Sequence, residues 1–419
     1  MINKEVHQPR KTAPLFHGYI VVIAAFFIMV VAWALYNTFG VFFKPLVAEF
    51  GWTSAMTSGA FSLSMIIYGV LGIITGGLAD RFGPRVVVTF CGFLIGVGYL
   101  LMSQVSTSWH LYLFYGVIIG VGMGGVWVPL LSSVARWFVR RRSMMTGIVI
   151  AGAGIGSFIG PQVVSRLIEA HDWRLTFVML GIVVLVAVVL GAQFLRRDPA
   201  QMGLLPYGED EVEQEGSGTD DNSFSFNEAV KTSQFWLTFM LFFAYGFGLF
   251  SVLVHLVPHA IELKISPLTA ANILAISGLV SILGNYVLGG IVGDRIGSRN
   301  VFIISCILML ANLFWLVWAV DVWMLYLFSA AFGFAFGGLG TSESPLVARL
   351  FGVRSHGLIY GVVHLGFTVG AAAGPLVTGY IFDLTGAYQR AFLLCAALGV
   401  VALIMAVLIR PTKRLGGRI

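Results

Sequence analysis

Apolar residues in this chain come in long runs, and polar residues collect in the short gaps between them. The runs lie at about 16–46, 55–79, 86–106, 109–135, 143–168, 174–195, 235–262, 268–293, 300–319, 322–348, 356–382 and 388–409. Each reaches the ~20 residues that a helix needs to cross hydrocarbon. The pattern predicts twelve transmembrane helices. Membrane β-strands would show as short alternating segments, and these do not occur. The first run exceeds what a bilayer requires, so its helix must tilt, bend or extend beyond the lipid. It is also too long for a cleavable signal peptide.

Composition agrees. The chain is 58% apolar and 11% charged, with a mean hydropathy of +0.91. A soluble domain carries about 25% charged residues, so the expectation is an all-α polytopic membrane protein whose surroundings are lipid. Lys and Arg set its orientation. With both termini inside, 20 of them fall on the inner side and 5 on the outer. The net charge of +6 is thereby accounted for without nucleic acid. Cys91, Cys306 and Cys395 all sit inside apolar runs, which argues against a disulfide or metal framework. The expected place is a bacterial inner membrane, with both termini cytoplasmic.

One gap differs from the others. Residues 198–233 include "GEDEVEQEGSGTDDNSFSFNEA", which is acidic and Gly/Ser-bearing. Such a segment cannot bury a core and reads as a tether, with partner recruitment the sharper alternative. It divides the chain into residues 1–197 and 234–419, each with six helices.

The halves repeat each other. "GGLADRFGPR" at Gly76–Arg85 returns as "GIVGDRIGSR" at Gly290–Arg299, 214 positions later. Tyr112–Phe114 and Gly160-Pro161 return at the same offset as Tyr326–Phe328 and Gly374-Pro375. Two parallel six-helix repeats suit a rocking transporter, with substrate held at the interface near the midplane. The repeated phrase follows spans two and eight on the inner side. Gly76, Gly83, Gly290 and Gly297 permit tight turns and close helix contact. Asp80 and Asp294 can pair with arginines or helix N-termini. Together with Arg81, Arg85, Arg295 and Arg299 they form a candidate inner latch in each half.

That phrase, Gly-x3-Asp-Arg-x-Gly-x-Arg after spans two and eight, resembles the signature of the major facilitator superfamily over nearly the whole chain. "ARWFVRRRSMMTGIVIAGAGIGSFIGP" at Ala135–Pro161 is similar to the fourth-to-fifth-span region of the monocarboxylate porters. "GVFFKPL", "FGFAFGGL" and "DPAQMGLLPYG" also resemble that family and its bacterial oxalate-exchanger relatives. The resemblance implies the major facilitator fold and proton-coupled or exchange transport of a small carboxylate by alternating access. The family's usual arginine in span eight falls at Asn285, and its frequent lysine in span one falls at Asn37. Neither cation is present here.

Polar residues inside the bilayer mark candidate substrate contacts. Span eight carries Ser277, Ser281 and Asn285 at i, i+4 and i+8, one face of a helix. Span eleven repeats the spacing with Tyr360, His364 and Thr368, and span seven with Ser251, His255 and His259. Asn37 and Trp33 in span one and Tyr115 and Trp127 in span four complete the set. Asn285, His364, Tyr115, Asn37, His255, Ser281 and Tyr360 are the candidate substrate contacts. For each, the bland reading is helix–helix hydrogen bonding or packing. Glu343 stands apart from motif loops and span ends. Buried, it must be protonated or paired. Arg349 and Arg136 are the expected partners. Its functional reading is proton coupling, shared with His364, and its bland reading is a structural ion pair.

The run "AGAGIGSFIGP" lacks the Lys-Ser/Thr of a phosphate loop and lies within a span. Its Gly-Pro end is similar to drug/proton antiporters, which keeps efflux open. No nucleophile–base pair, metal cluster or nucleotide motif appears, so neither enzyme chemistry nor a cofactor is expected. The expected partners are a small-molecule solute, protons and lipid, with the monomer as the working unit. A neutral or other small organic solute is the alternative. A non-transporting sensor is the remote one.

Overall fold

The structure, a computed structural model, describes residues 16–52, 54–208 and 223–410. Twelve helices are long and apolar enough to cross a membrane. Spans one to six are His17–Phe42, Gly59–Phe82, Pro84–Met102, Ser108–Trp137, Arg142–Ala170 and Trp173–Ala192. Spans seven to twelve are Ser233–Glu262, Asn272–Ile296, Ser298–Trp318, Val322–Phe351, His356–Phe382 and Tyr388–Leu408. These bounds agree with the apolar runs to within a few residues. Large apolar side chains such as Phe27, Phe90 and Leu376 stay exposed, which fits a surface bathed in lipid.

Span one resolves its surplus length by breaking. Helix His17–Tyr36 stops at Asn37 and resumes as Phe39–Phe50. The Thr38 hydroxyl donates to the Leu35 carbonyl at 2.6 Å, and the Asn37 amide donates to the Trp33 carbonyl at 3.1 Å. Such side-chain bonds compete with the helical ladder.

Each half is a six-helix bundle built on the same pairings. Span one packs on five and span seven on eleven; three packs on six and nine on twelve; two packs on four and eight on ten. Between halves, span two meets eleven and span five meets eight. Close approach across the first seam depends on absent side chains. A Cβ at Gly76 would overlap the Gly357 carbonyl, and one at Gly357 would overlap Gly76 in return.

The repeated phrase has the same backbone twice. Gly83 has φ +86° and Gly297 φ +85°, and each sits between two spans. Only glycine takes that conformation without strain. The identical turn sends spans three and nine off in equivalent directions.

The acidic segment is anchored at both described ends. Pro199–Met202 forms a short 3₁₀ turn, and Tyr207 then pairs with the first bundle as an isolated parallel bridge to Phe138. The Tyr207 amide donates to the Trp137 carbonyl at 2.9 Å, and its ring packs on Phe16, Tyr19 and Phe138. At the other end, the Phe224 amide donates to the Phe351 carbonyl at 2.9 Å. Trp137 and Phe351 are equivalent positions, again 214 apart. The tether reading of the whole of 198–233 therefore narrows, and its middle, 209–222, lies outside the described residues.

Candidate functional site

Two polar assemblies bridge the halves. The first is the pair of latches at the arginine-rich end. Asp80, ending span two, accepts from the Gly357 amide at 3.0 Å and the Leu358 amide at 2.9 Å. These amides open span eleven, so a carboxylate of one half caps a helix N-terminus of the other. Arg136, buried at the end of span four, pairs with Asp80 and donates Nε to the Val353 carbonyl at 3.2 Å. The second latch is simpler. Asp294 accepts from the Ser143 amide at 3.0 Å at the start of span five. Leu350 stands where the repeat would place a second Arg136.

The arginines of the phrase act elsewhere. Arg85 donates Nε to Gln193 Oε1 at 2.8 Å, tying span three to six. Arg299 donates to the Ile409 and Val407 carbonyls at 2.5 and 2.7 Å, tying span nine to twelve. Arg81 is exposed and lies over the Phe82 ring, and Arg295 is exposed. The inner-latch expectation for these four arginines is therefore corrected: no cross-half bond from any of them is present among the described residues.

The second assembly surrounds Glu343. Thr341, Ser342, Glu343 and Ser344 are all buried in span ten, and Glu343 is 2% exposed. Pro345 interrupts the backbone ladder directly after them. Glu343 Oε2 accepts from the Tyr360 hydroxyl at 3.0 Å and lies 3.1 Å from His364 Nδ1. Tyr360 and His364, one turn apart on span eleven, present one face to the acid. Trp127 of span four completes the bridge by donating Nε1 to the Tyr360 oxygen at 3.0 Å. The His364 ring stacks on Trp127, with centroids 6.0 Å apart. Trp33 of span one meets Trp127 edge-on at 5.6 Å, and its own Nε1 is buried without a partner.

The expected partners of Glu343 are thus corrected. Arg136 is taken by Asp80, and Arg349 lies beside Gly297. Among the described residues the ion partner of Glu343 is His364 alone.

Asn285 lies at another junction. Its Oδ1 accepts from the Thr341 hydroxyl at 2.8 Å, where span eight enters a π-helical stretch, Asn285–Val292. Its carbonyl lies against Gly147 of span five. Wide π turns recur at functional positions. Ser281 and Ser277 turn their hydroxyls back to the Gly278 and Leu274 carbonyls, and their backbones pack on Gly337 and Gly333. The Asn37 amide donates to Ser157 Oγ of span five at 2.8 Å.

Two expected contacts are not brought to either junction. Tyr115 is 1% exposed and donates its hydroxyl to the Tyr36 carbonyl at 3.0 Å, inside the first bundle's aromatic core. His255 faces the Pro375 carbonyl at 3.0 Å and the Tyr388 hydroxyl at 3.4 Å, within the second bundle. Conversely, sequence reading leaves Trp127 out of the final candidate contacts, and the structure brings it into the network. Sequence reading missed Thr341 and Ser157 altogether. A tryptophan in the middle of a span was the available signal for Trp127; the two hydroxyl residues carried none.

The chain's relatives agree with this architecture. A family model described as Major Facilitator Superfamily matches residues 24–289 and 258–418. Monocarboxylate transporter 13 of Bos taurus is 29% identical, over 91% of this chain and 86% of its own length. Monocarboxylate transporter 7 of Homo sapiens is 26% identical, over 94% and 86%. An uncharacterized MFS-type transporter of Escherichia coli, YhjX, is 25% identical, over 82% and 81%. Among solved structures, the proton:xylose symporter XylE superposes with a TM-score of 0.74 at 14% identity, covering 95% of this chain and 97% of that one. The E. coli fucose:proton symporter FucP gives 0.70 at 17%, covering 94% and 100%. With twelve spans, a phrase written twice and a family match across both halves, this chain belongs to the Major Facilitator Superfamily of membrane transporters.

Proposed function

We propose that this transporter carries a small organic acid, a monocarboxylate or close relative, by alternating access and in step with a proton. The observation that carries the proposal is the buried Glu343–His364 pair, which among the described residues has no lysine or arginine beside it. One proton on the pair leaves the empty site neutral, and the halves can rock. A second proton makes the pair cationic, and a carboxylate restores neutrality. Site and solute then move as a neutral unit. Either half-loaded state carries an uncompensated charge in a low-dielectric site and is disfavoured. Coupling follows from this arithmetic without the span-eight arginine of the monocarboxylate porters. Trp127 and Tyr360 extend the network across the two halves and hold the carboxylate of Glu343 in place.

The similarity to monocarboxylate transporters supports the solute class, and the lysine and arginine count supports a cytoplasmic placing of the latch; the bacterial inner membrane is part of the proposal. The reading takes the monomer as the working unit. A second reading has its own observation: Asn285, Thr341, Asn37 and Ser157 offer neutral donors and acceptors only, which suits an uncharged solute.

Reconstitution in vesicles tests the choice. With an alkaline interior, labelled lactate should accumulate above its external concentration faster in protein-bearing than in protein-free vesicles, and sugars or amino alcohols should not. Preloading with unlabelled acid separates exchange from proton symport. If no carboxylate accumulates under the pH gradient while an uncharged solute does, the second reading holds.

A further inference from the structure

A groove of about 470 Å³ opens on the lipid-facing side of the first bundle, between spans three and six. Val86, Phe90, Phe93 and Val189 form its walls, and Arg85, Thr89 and Gln193 its one polar end. No acidic side chain lines it. Residues 85, 89 and 93 fall on one face of span three, so the groove runs about 12 Å into the bilayer from Arg85. That depth suits an acyl chain beneath a headgroup.

The polar end is held in position. Arg85 Nε donates to Gln193 Oε1 at 2.8 Å, and Gln193 Nε2 donates to Thr89 Oγ1 at 3.1 Å and to the Val189 carbonyl at 2.9 Å. Among the described residues nothing accepts the Nη hydrogens of Arg85, which is exposed. The equivalent Arg299 differs. It spends its guanidinium on two carbonyls of the chain, and Ile303 and Val407 stand where Thr89 and Gln193 would recur. The second half thus keeps the arginine and lacks the polar cradle.

We propose that this groove binds an anionic phospholipid of the inner leaflet, its phosphate on the Arg85 guanidinium and one acyl chain along Phe90 and Phe93. Arginine matches phosphate with paired donors, and basic sites between spans on the cytoplasmic side are suited to acidic headgroups. The proposal rests on the orientation set by the arginine count and not on the transported solute.

Native mass spectrometry of the detergent-solubilised full chain tests it. Phosphatidylglycerol and phosphatidylcholine with the same chains are offered in competition, with glycerol phosphate as the chain-free headgroup. The wild type should retain phosphatidylglycerol about fivefold over phosphatidylcholine, the contribution of one arginine near an anionic surface. Arg85→Gln should lose that preference, Arg85→Lys should keep part of it, and Arg299→Gln should keep all of it. Val189→Trp fills the groove while leaving the arginine, so it should also lose the lipid; it keeps the question answerable if Arg85→Gln does not fold. Equal retention of both lipids by the wild type, or an undiminished preference in Arg85→Gln or Val189→Trp, overturns the proposal. Equally strong retention of glycerol phosphate overturns it too, since the acyl chain would then contribute nothing.

Discussion

At the scale of single residues, the Glu343–His364 contact concentrates the chemistry. His364→Gln removes the group that becomes cationic, so uptake should lose its dependence on pH. Glu343→Gln should act differently. The imidazole remains as a proton site, so uptake should keep a dependence on pH that His364→Gln loses. Identical profiles in wild type and both variants would remove the pair from the coupling step. Asn285 gives a second test. Thr341 also donates to the Gly337 carbonyl at 3.0 Å, so Asn285→Ala leaves no orphan hydroxyl and should cost the fold only about 1 kcal/mol. A loss of solute binding well beyond that places Asn285 at the solute. Asn285→Arg should then bind carboxylates with altered selectivity if the solute is an acid, and abolish transport if it is uncharged. The stripe Tyr360–His364 could be read from sequence because i, i+4 spacing defines a face whatever the partner. The partner of Glu343 could not. It depends on how spans ten and eleven rotate about their axes, and nothing in the chain between Phe351 and His356 encodes that rotation. Charge alone pointed to Arg136, which Asp80 holds, and to Arg349, which lies beside Gly297.

At the scale of elements, the two latches are unequal. Asp80 takes two amides and a buried arginine, whereas Asp294 has a helix N-terminus and no counterpart of Arg136. Asp80→Asn strands the Arg136 charge, an event that typically costs about 3–5 kcal/mol when a buried pair is broken. Asp294→Asn weakens a charge-assisted bond to backbone, for which about 1–2 kcal/mol is the fitting scale. Cysteines placed at the arginine-rich end should therefore label faster in Asp80→Asn than in Asp294→Asn. Adding Arg136→Leu to Asp80→Asn should recover part of the loss, because it removes the stranded charge. Equal labelling in both single variants would contradict the asymmetry. The aspartates themselves were legible because the phrase is written twice. Their acceptor role toward Gly357, Leu358 and Ser143 was not, since every residue but proline supplies an amide.

At the scale of the whole molecule, the repeat is legible in composition and the seam is not. Apolar runs of bilayer length locate the twelve helices with little help from neighbours, because lipid imposes the length and the backbone must satisfy itself. The break at Asn37 escaped because two polar residues in a long apolar run do not say which will interrupt the ladder. The anchoring of Tyr207 and Phe224 escaped for a similar reason: the bonds are made by main chain. Since the acidic segment is tied to its own bundle at each end, cutting it between residues 208 and 223 should leave two pieces that assemble. Co-expressing residues 1–208 with 223–419 should restore uptake to a substantial fraction of the intact chain. Pieces cut at 197 and 234 should do worse, because they lack both anchors.

On the proposed coupling, the lack of a lysine or arginine partner at Glu343 among the described residues also sets which force the cell can apply. A site that is neutral both when empty and when loaded moves no net charge through the membrane field in either direction. Each elementary charge would otherwise feel about 2.3 kcal/mol per 100 mV. Accumulation should then follow the pH difference and ignore the membrane voltage. A potassium diffusion potential imposed with valinomycin at constant pH should leave the uptake rate unchanged, and no current should accompany the solute. A rate that rises with inside-negative voltage would mean that more than one proton travels with each acid.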